Sequence, residues 1–301
     1  KELEDVFDLQ DKITSSVVLQ IRPELERIEF KRVQEKTPEA MCAWDLFQKG
    51  KWTIYSRPQG IVEGVKWLEL AEEADNSYID ATALRVSIQA SANLLFNRSY
   101  DLTEDFKKLE RTKIQDPDND LIQTGMGVYQ NYSLGSPLVA LPFFESAIRL
   151  NPTNMIAQRY YLQCLIFLNR AEDALSHYDK IGEISPKDPE MMRFDARCAE
   201  AHLGLKNFME AKKYGMISTS HPITLWPSYA ALISALGHLG ELDEAVTVLE
   251  NLKSRMISMP EVDCNPEEIL SLKYIENALP FHGNEYKEIY LSGLRKAHFP
   301  E

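Results

Sequence analysis

A 34-residue period constrains this chain more than any other feature. Ala140 recurs as Ala174, Phe144 as Tyr178, Ala147 as Ile181 and Pro152 as Pro186, each 34 residues on. The same residue types at the same offsets are the signature of a stacked repeat, in which each unit buries its apolar face on the next. The types have physical reasons. A small residue lets one helix approach its neighbour closely, and an aromatic four residues later fills the gap one turn on, on the same face. Proline then stops the helix and starts a turn. Ala211 follows after an insertion of three residues, and Ala245 lies a further 34 on.

Along the chain, the apolar positions step by three and four. Val6, Leu9, Ile13, Val17, Ile21, Leu25 and Ile28 predict a helix over Lys1 to Lys36, with a kink or a new helix at Pro23. Ala40 to Ala74 predicts a degenerate first repeat: Gly64, Leu68 and Ala71 sit at the offsets of Ala140, Phe144 and Ala147. Ser77 to Ile114 predicts a second, with Asp101 or Thr103 as a helix cap and Asp116 to Asp120 as a turn. Full repeats follow from Asp120 to Pro152, Thr153 to Pro186, Asp188 to Pro222 and Leu225 to Met259, with Gly135 and Gly240 opening turns inside theirs. The tail from Pro266 to Glu301 departs from the pattern, as a terminal capping unit must. The resulting division is 1–36 connecting helices, 37–262 an array of about six repeats with the first two degenerate, and 263–301 capping helices. About thirteen helices are expected, and no strand-like alternation after residue 36.

Composition narrows the function. The chain of 301 residues carries a formal charge of −13, which disfavours binding to nucleic acid or an anionic membrane. No apolar run approaches the roughly 20 residues of a membrane span. Lys1 to Asp11 is charged throughout, unlike a signal peptide, so a cytoplasmic protein is expected. The sequence opens on Lys rather than Met and is read as a piece of something longer. Cys42, Cys164, Cys198 and Cys264 are far apart and lack histidines at ligand spacing, so buried reduced thiols are expected rather than a zinc site. The histidines show no zinc-binding spacing, and the 13 glycines form no phosphate loop and no nucleophile elbow. The acidic clusters at Glu72 to Asp75 and Asp116 to Asp120 read as solvated helix ends and turns. Neither a catalytic set, a metal nor a cofactor is expected, and the chain is read as not an enzyme.

Small, aromatic, small or apolar, then proline, on a 34-residue period, resembles the second helix of the tetratricopeptide repeat. The resemblance covers about residues 40–260 and is closest over 120–260. It implies an all-α, right-handed superhelix of antiparallel helix pairs whose first helices line the concave face. The pattern departs where the first helix favours a small residue: Val128, Leu162 and Ile233 stand there, and only Ala199 conforms. The ends add a narrower likeness. DVFDLQDKITSSVVLQIRPELERIE at the start, AWDLFQKGKW soon after and YLSGLRKAHFPE at the close resemble the carboxy-terminal half of a bacterial regulator family. In that family a repeat array follows either a class III adenylate or guanylate cyclase or a winged-helix transcriptional activator. The resemblance leaves open which effector would precede residue 1.

Counting back from Ala140, Ala174 and Ala211, the inward-projecting positions are Tyr129, Tyr132, Arg159, Gln163, Ile166, Arg193 and Glu200. Tyr and Arg are favoured interface residues, and two arginines in an acidic chain favour an acidic or carboxylate-bearing peptide. The two-lysine, two-asparagine carboxylate clamp of chaperone-binding repeats is absent, because its key position holds Tyr129, Gln163, Glu200 and Ser234. A non-catalytic scaffold for protein–protein interaction and regulation is therefore expected. The alternative is a sensor that holds a small molecule or peptide inside the superhelix, marked by a closed internal pocket. The long amino-terminal stripe is expected to pack on the first repeat or on a second copy, giving a possible homodimer.

Overall fold

Ala140, Ala174, Ala211 and Ala245 are all at most 1% exposed, each on the second helix of a pair. The period in the sequence is thus a series of close helix contacts. The computed structural model describes residues 2–37, 40–56, 60–184, 191–221, 224–258 and 265–301. Among them there are sixteen α-helices and no strand, where about thirteen helices were expected, and the tail holds three helices rather than two.

The long helix α1 (Glu2–Gln34) precedes six antiparallel pairs. These are α2 (Ala43–Ser56) with α3 (Gly60–Ala74), α4 (Ile79–Leu95) with α5 (Thr103–Gln115), and α6 (Asp120–Val128) with α7 (Pro137–Leu150). They continue as α8 (Met155–Phe167) with α9 (Ala171–Ile184), α10 (Met191–Gly204) with α11 (Phe208–Thr219), and α12 (Trp226–Leu239) with α13 (Leu242–Ile257). Short helices α14 (Pro266–Ile269) and α15 (Leu272–Ala278) lead to α16 (Glu285–Lys296), which packs on α12 and α10 as a cap. Each pair stacks on the next, which makes an α-helical repeat superhelix.

The first pair is held as the Gly64 offset predicted. A Cβ on Gly64 would sit 2.8 Å from the Gly50 carbonyl oxygen, so α2 and α3 cross with backbone almost in contact. The second pair is tied by charge: Arg85 of α4 donates to Glu72 of α3 at 2.6 Å and to Asp105 of α5 at 2.8 Å. Glu72, expected on a solvated face, is thereby a structural partner. A recurrent polar joint links the middle repeats. Asn119 caps α6 by accepting from the Ile122 amide, and its side-chain amide donates to Asp80 at the start of α4, 2.9 Å away. Asn154 caps α8 in the same way and donates to Asp120 at the start of α6 at 2.6 Å. Asp101 accepts from the Thr103 amide at 3.0 Å, so it and not Thr103 serves the start of α5.

Several expectations need correction. The helix α1 runs unbroken through position 23, so of the kink or new helix predicted there the new helix does not form. The face it presents is also the other one. Leu19 and Val33 are buried, Phe30 stacks on Trp52 of α2 at 4.6 Å, and Lys51 donates to Glu26 at 2.8 Å. Lys36 and Arg32 reach the buried Asp45. Ile13, Val17, Ile21, Leu25 and Ile28 are left about half exposed, so that part of the stripe does not cover the first repeat. The side chains of Val6 and Leu9 lie outside the described residues. Cys42 is exposed, against expectation, while Cys164 and Cys198 are buried, and burial pushes the Cys164 thiol up to about 12. Cys264 and Pro186 lie outside the described residues.

Ala174 makes the central contact of α9. Replacing it by leucine adds three carbons to a packed helix contact, and Ala174→Leu is expected to cost roughly 1–3 kcal/mol by overpacking. Urea unfolding measures this; an unchanged midpoint would show that the repeat tolerates volume there.

Candidate functional site: an interior pocket

The first helices do not line an open groove. Apart from Arg159 and Tyr161, every residue of α8 is buried, and α12 is buried along nearly its whole length. A helix buried on all sides has neighbours on all sides. Here the far end of the chain supplies them. The Trp226 indole donates to the Leu95 carbonyl at 2.7 Å, and the Tyr274 hydroxyl donates to the Leu94 carbonyl at 2.6 Å. The His282 amide donates to the Phe167 carbonyl at 2.8 Å, and Asn97 bonds Glu268 at 2.6 Å. The superhelix thus closes on itself, and the concave face becomes an internal wall.

A pocket of about 130 Å³ remains inside. Five of the seven predicted residues line it: Tyr132, Arg159, Gln163, Arg193 and Glu200. Tyr132 sits edge-on to Tyr160 and Phe167, and burial pushes its hydroxyl pKa far above the ordinary value. The Arg159 guanidinium lies over the Tyr160 ring at 4.9 Å and over Tyr55 of α2 at 5.7 Å, and Arg193 lies over the same Tyr55 ring at 5.4 Å. Glu200 is 3% exposed; it accepts from Gln163 at 2.9 Å and from Arg197 at 3.0 Å. Burial raises the Glu200 pKa, and Arg197 and Gln163 offset only part of that rise.

Tyr129 and Ile166 do not belong to this set. Tyr129 stacks on Phe106 of α5 at 4.4 Å, within the core between repeats. Its misplacement has a geometric cause. Residues Tyr129–Ser133 form a π-helical turn, with the Leu134 amide donating to the Tyr129 carbonyl at 3.2 Å. A π turn holds one extra residue, so a position counted back across it as α-helix is wrong by about 100°. Ile166 is 1% exposed in the main core, and the cap reaches its neighbour Phe167 at the end of α8.

Sequence reasoning missed other wall residues. Arg197 stands four after Arg193 and three before Glu200, on one face of α10, a signal present in the spacing. Tyr286 and Tyr290 of the cap also line the pocket, and burial raises both hydroxyl pKa values, with Glu200 adding to the rise. Nothing in the period could find these, since the cap lies outside it. Positive charge dominates nearby: His221 titrates below its ordinary value because of burial, then of Arg193 and Arg255. No three His, Cys, Asp or Glu side chains converge to hold a metal among the described residues. No helix there is long and apolar enough to cross a membrane.

The Arg197–Glu200–Gln163 network yields a test. Arg197→Ala leaves Glu200 buried with one partner and is expected to destabilise by about 2–4 kcal/mol. Adding Glu200→Gln removes the uncompensated charge and should recover most of that loss. Denaturant unfolding of the single and double variants checks it, and equal losses in both would show the pair is not coupled.

No family model matches the chain, and no curated protein matches it. Among solved structures, a tetratricopeptide repeat protein from Parabacteroides merdae ATCC 43184 is similar at a TM-score of 0.46 and 16% identity, with 85% of this chain and 98% of that chain covered.

Proposed function

We propose that the chain is a non-catalytic helical-repeat module that mediates regulatory interactions and senses a ligand held inside its superhelix. The observation that carries this is the pocket lined from both ends of the array, a mostly apolar space with a few charged and polar groups in its wall. Tyr55 of α2, Arg159 of α8, Arg193 of α10 and Tyr286 of α16 all line it, so one occupant touches early, middle and late elements at once. A ligand that binds better to the closed arrangement stabilises the whole array. This favours the sensor over the open peptide groove, since the inward positions are already covered.

The resemblance of the chain ends supports a bacterial, cytoplasmic setting in which the module regulates a cyclase or winged-helix activator attached before residue 1. No nucleic-acid or membrane role is assigned to the repeats. The small-molecule fraction of a cell extract is expected to raise the unfolding midpoint by about 5 °C when it contains the ligand. The rise should vanish in the Arg159→Ala, Tyr132→Ala double variant. A rise of equal size in that variant would move the site elsewhere, and no rise with any extract would count against the sensor.

The exposed stripe of α1 is assigned to a second copy of this chain. The early part of α1 is acidic, with Glu2, Glu4, Asp5, Asp8 and Asp11 against Lys12, while the later part mixes Arg22, Arg27, Lys31 and Arg32 with Glu24, Glu26 and Glu29, so the apolar stripe rather than charge carries the pairing. Sedimentation at micromolar concentration should show a dimer that Ile21→Glu with Leu25→Glu converts to a folded monomer. A wild-type monomer would overturn the assignment.

A further inference from the structure

Glu200 is 3% exposed, yet its donors crowd onto one oxygen. Gln163 and Arg197 both reach Oε2, at 2.9 Å and 3.0 Å. Oε1 accepts from none of the described residues, and it opens on the pocket that Glu200 lines. Arg197 and Gln163 favour the ionised form of the group, in which both oxygens are acceptors. A carboxylate oxygen held away from water without a donor costs more than an unpaired neutral group, and folded interiors rarely leave one so.

The space beside this oxygen is walled by aromatic rings in mutual contact. Tyr132 meets Phe167 edge-on at 6.2 Å, Phe167 meets Phe281 at 5.9 Å, and Phe281 meets Tyr286 at 5.2 Å. Tyr290 stands 5.9 Å from Tyr286, and all five rings line the pocket. The Glu200 charge acts on the hydroxyls of Tyr132, Tyr286 and Tyr290, which sets the carboxylate at the edge of this group. None of the three hydroxyls donates to Glu200, and that of Tyr290 serves the Pro227 carbonyl at 3.2 Å. A volume of about 130 Å³ is on the scale of one ring, since an apolar cavity of roughly 150 Å³ admits benzene. A water molecule supplies a donor but leaves the rest of that apolar space unfilled. A cation would bring an unbalanced charge, because Glu200 is already matched by Arg197.

We propose that the pocket takes a neutral, ring-sized molecule bearing one hydroxyl or N–H group, its donor on Glu200 Oε1 and its ring among Phe167, Phe281 and Tyr286. This rests on the interior pocket being the ligand site, as assigned above. A hydrogen bond to a carboxylate is stronger than one to a neutral acceptor, so the donor decides selection among rings of one size, while the aromatic wall gives affinity to all of them.

The test uses the intact chain and defined probes. Phenol and benzyl alcohol are compared with toluene, which has the ring but no polar group, with benzaldehyde, which only accepts, and with benzylammonium, by saturation-transfer NMR and calorimetry. Phenol or benzyl alcohol is expected to bind about tenfold or more tightly than the other three. Glu200→Gln keeps an oxygen toward Gln163 and Arg197 and turns an N–H group to the pocket, so it should weaken the donor probes by about tenfold and improve benzaldehyde. If that variant folds poorly, the Arg197→Ala, Glu200→Gln double variant takes its place, and the wild-type comparison needs no variant. Toluene or benzaldehyde binding as tightly as the donors overturns the role of Oε1 while leaving the pocket as a ligand site. Tighter binding of benzylammonium overturns the neutral ligand. A donor preference unchanged by Glu200→Gln overturns the placement. No binding by any probe overturns the proposal, and the sensor itself then stands or falls on the extract-induced rise in unfolding midpoint.

Discussion

The last carbonyls of α4 decide what kind of superhelix this is. A helix leaves its final carbonyl groups without intrahelical donors, and a buried helix end must find them elsewhere. The Leu95 carbonyl accepts from Trp226, 131 residues on, and the Leu94 carbonyl from Tyr274, 180 residues on. An aromatic residue with a polar hydrogen suits this task, because its ring packs in the core while its donor reaches the backbone. These two bonds fasten the second repeat to the sixth and to the cap. Without them the array is an open curve with its first helices facing water. With them those helices are interior, and their polar residues line a pocket.

The same closure marks the limit of what the sequence discloses. The repeat is legible because its causes are local: Ala140, Ala174, Ala211 and Ala245 recur where helices must approach closely, and all are buried. The inward face of α8 and α10 is legible for the same reason, since Arg159, Gln163, Arg193 and Glu200 follow from regular helical spacing. Tyr129 is misjudged where spacing ceases to be regular, at the π turn. Ile166 is misjudged because it belongs to the main core, which the cap closes at the neighbouring Phe167 and which no count along the period reaches. The helix α1 fails for a different reason. Its exposed stripe is the more apolar face, while the inward face carries Arg22, Glu26 and Phe30 beside Leu19 and Val33. Amphipathic pattern says that a face needs covering, not which neighbour covers it.

Buried charge near the pocket serves placement more than stability. Burying Glu200 and Arg197 costs desolvation that a mutual bond only partly returns, and an apolar pair of the same volume would serve the core at least as well. What an apolar pair lacks is direction. Glu200 engages one nitrogen of Arg197, and Gln163 holds Glu200 from the neighbouring helix, so α8 and α10 are set in one register. Arg193, four residues before Arg197, shares its helix face and is oriented by the same register.

Tyr55 gives the pocket its connection to the amino-terminal helix. Its ring is the platform for Arg159 and Arg193 inside, and the same side chain borders a crevice formed with Arg22, Glu26 and Phe30 of α1. A ligand shifts an equilibrium only by its differential affinity for two arrangements. Contacts that differ between an occupied and an empty pocket must therefore pass through residues that belong to both sides of a wall. Lys51 and Trp52, which hold α1 through Glu26 and Phe30, precede Tyr55 by one turn on α2. Any displacement of Tyr55 that turns or slides the end of α2 accordingly acts on the contacts that fix α1, and the packed interface between them admits discrete rearrangements rather than continuous bending.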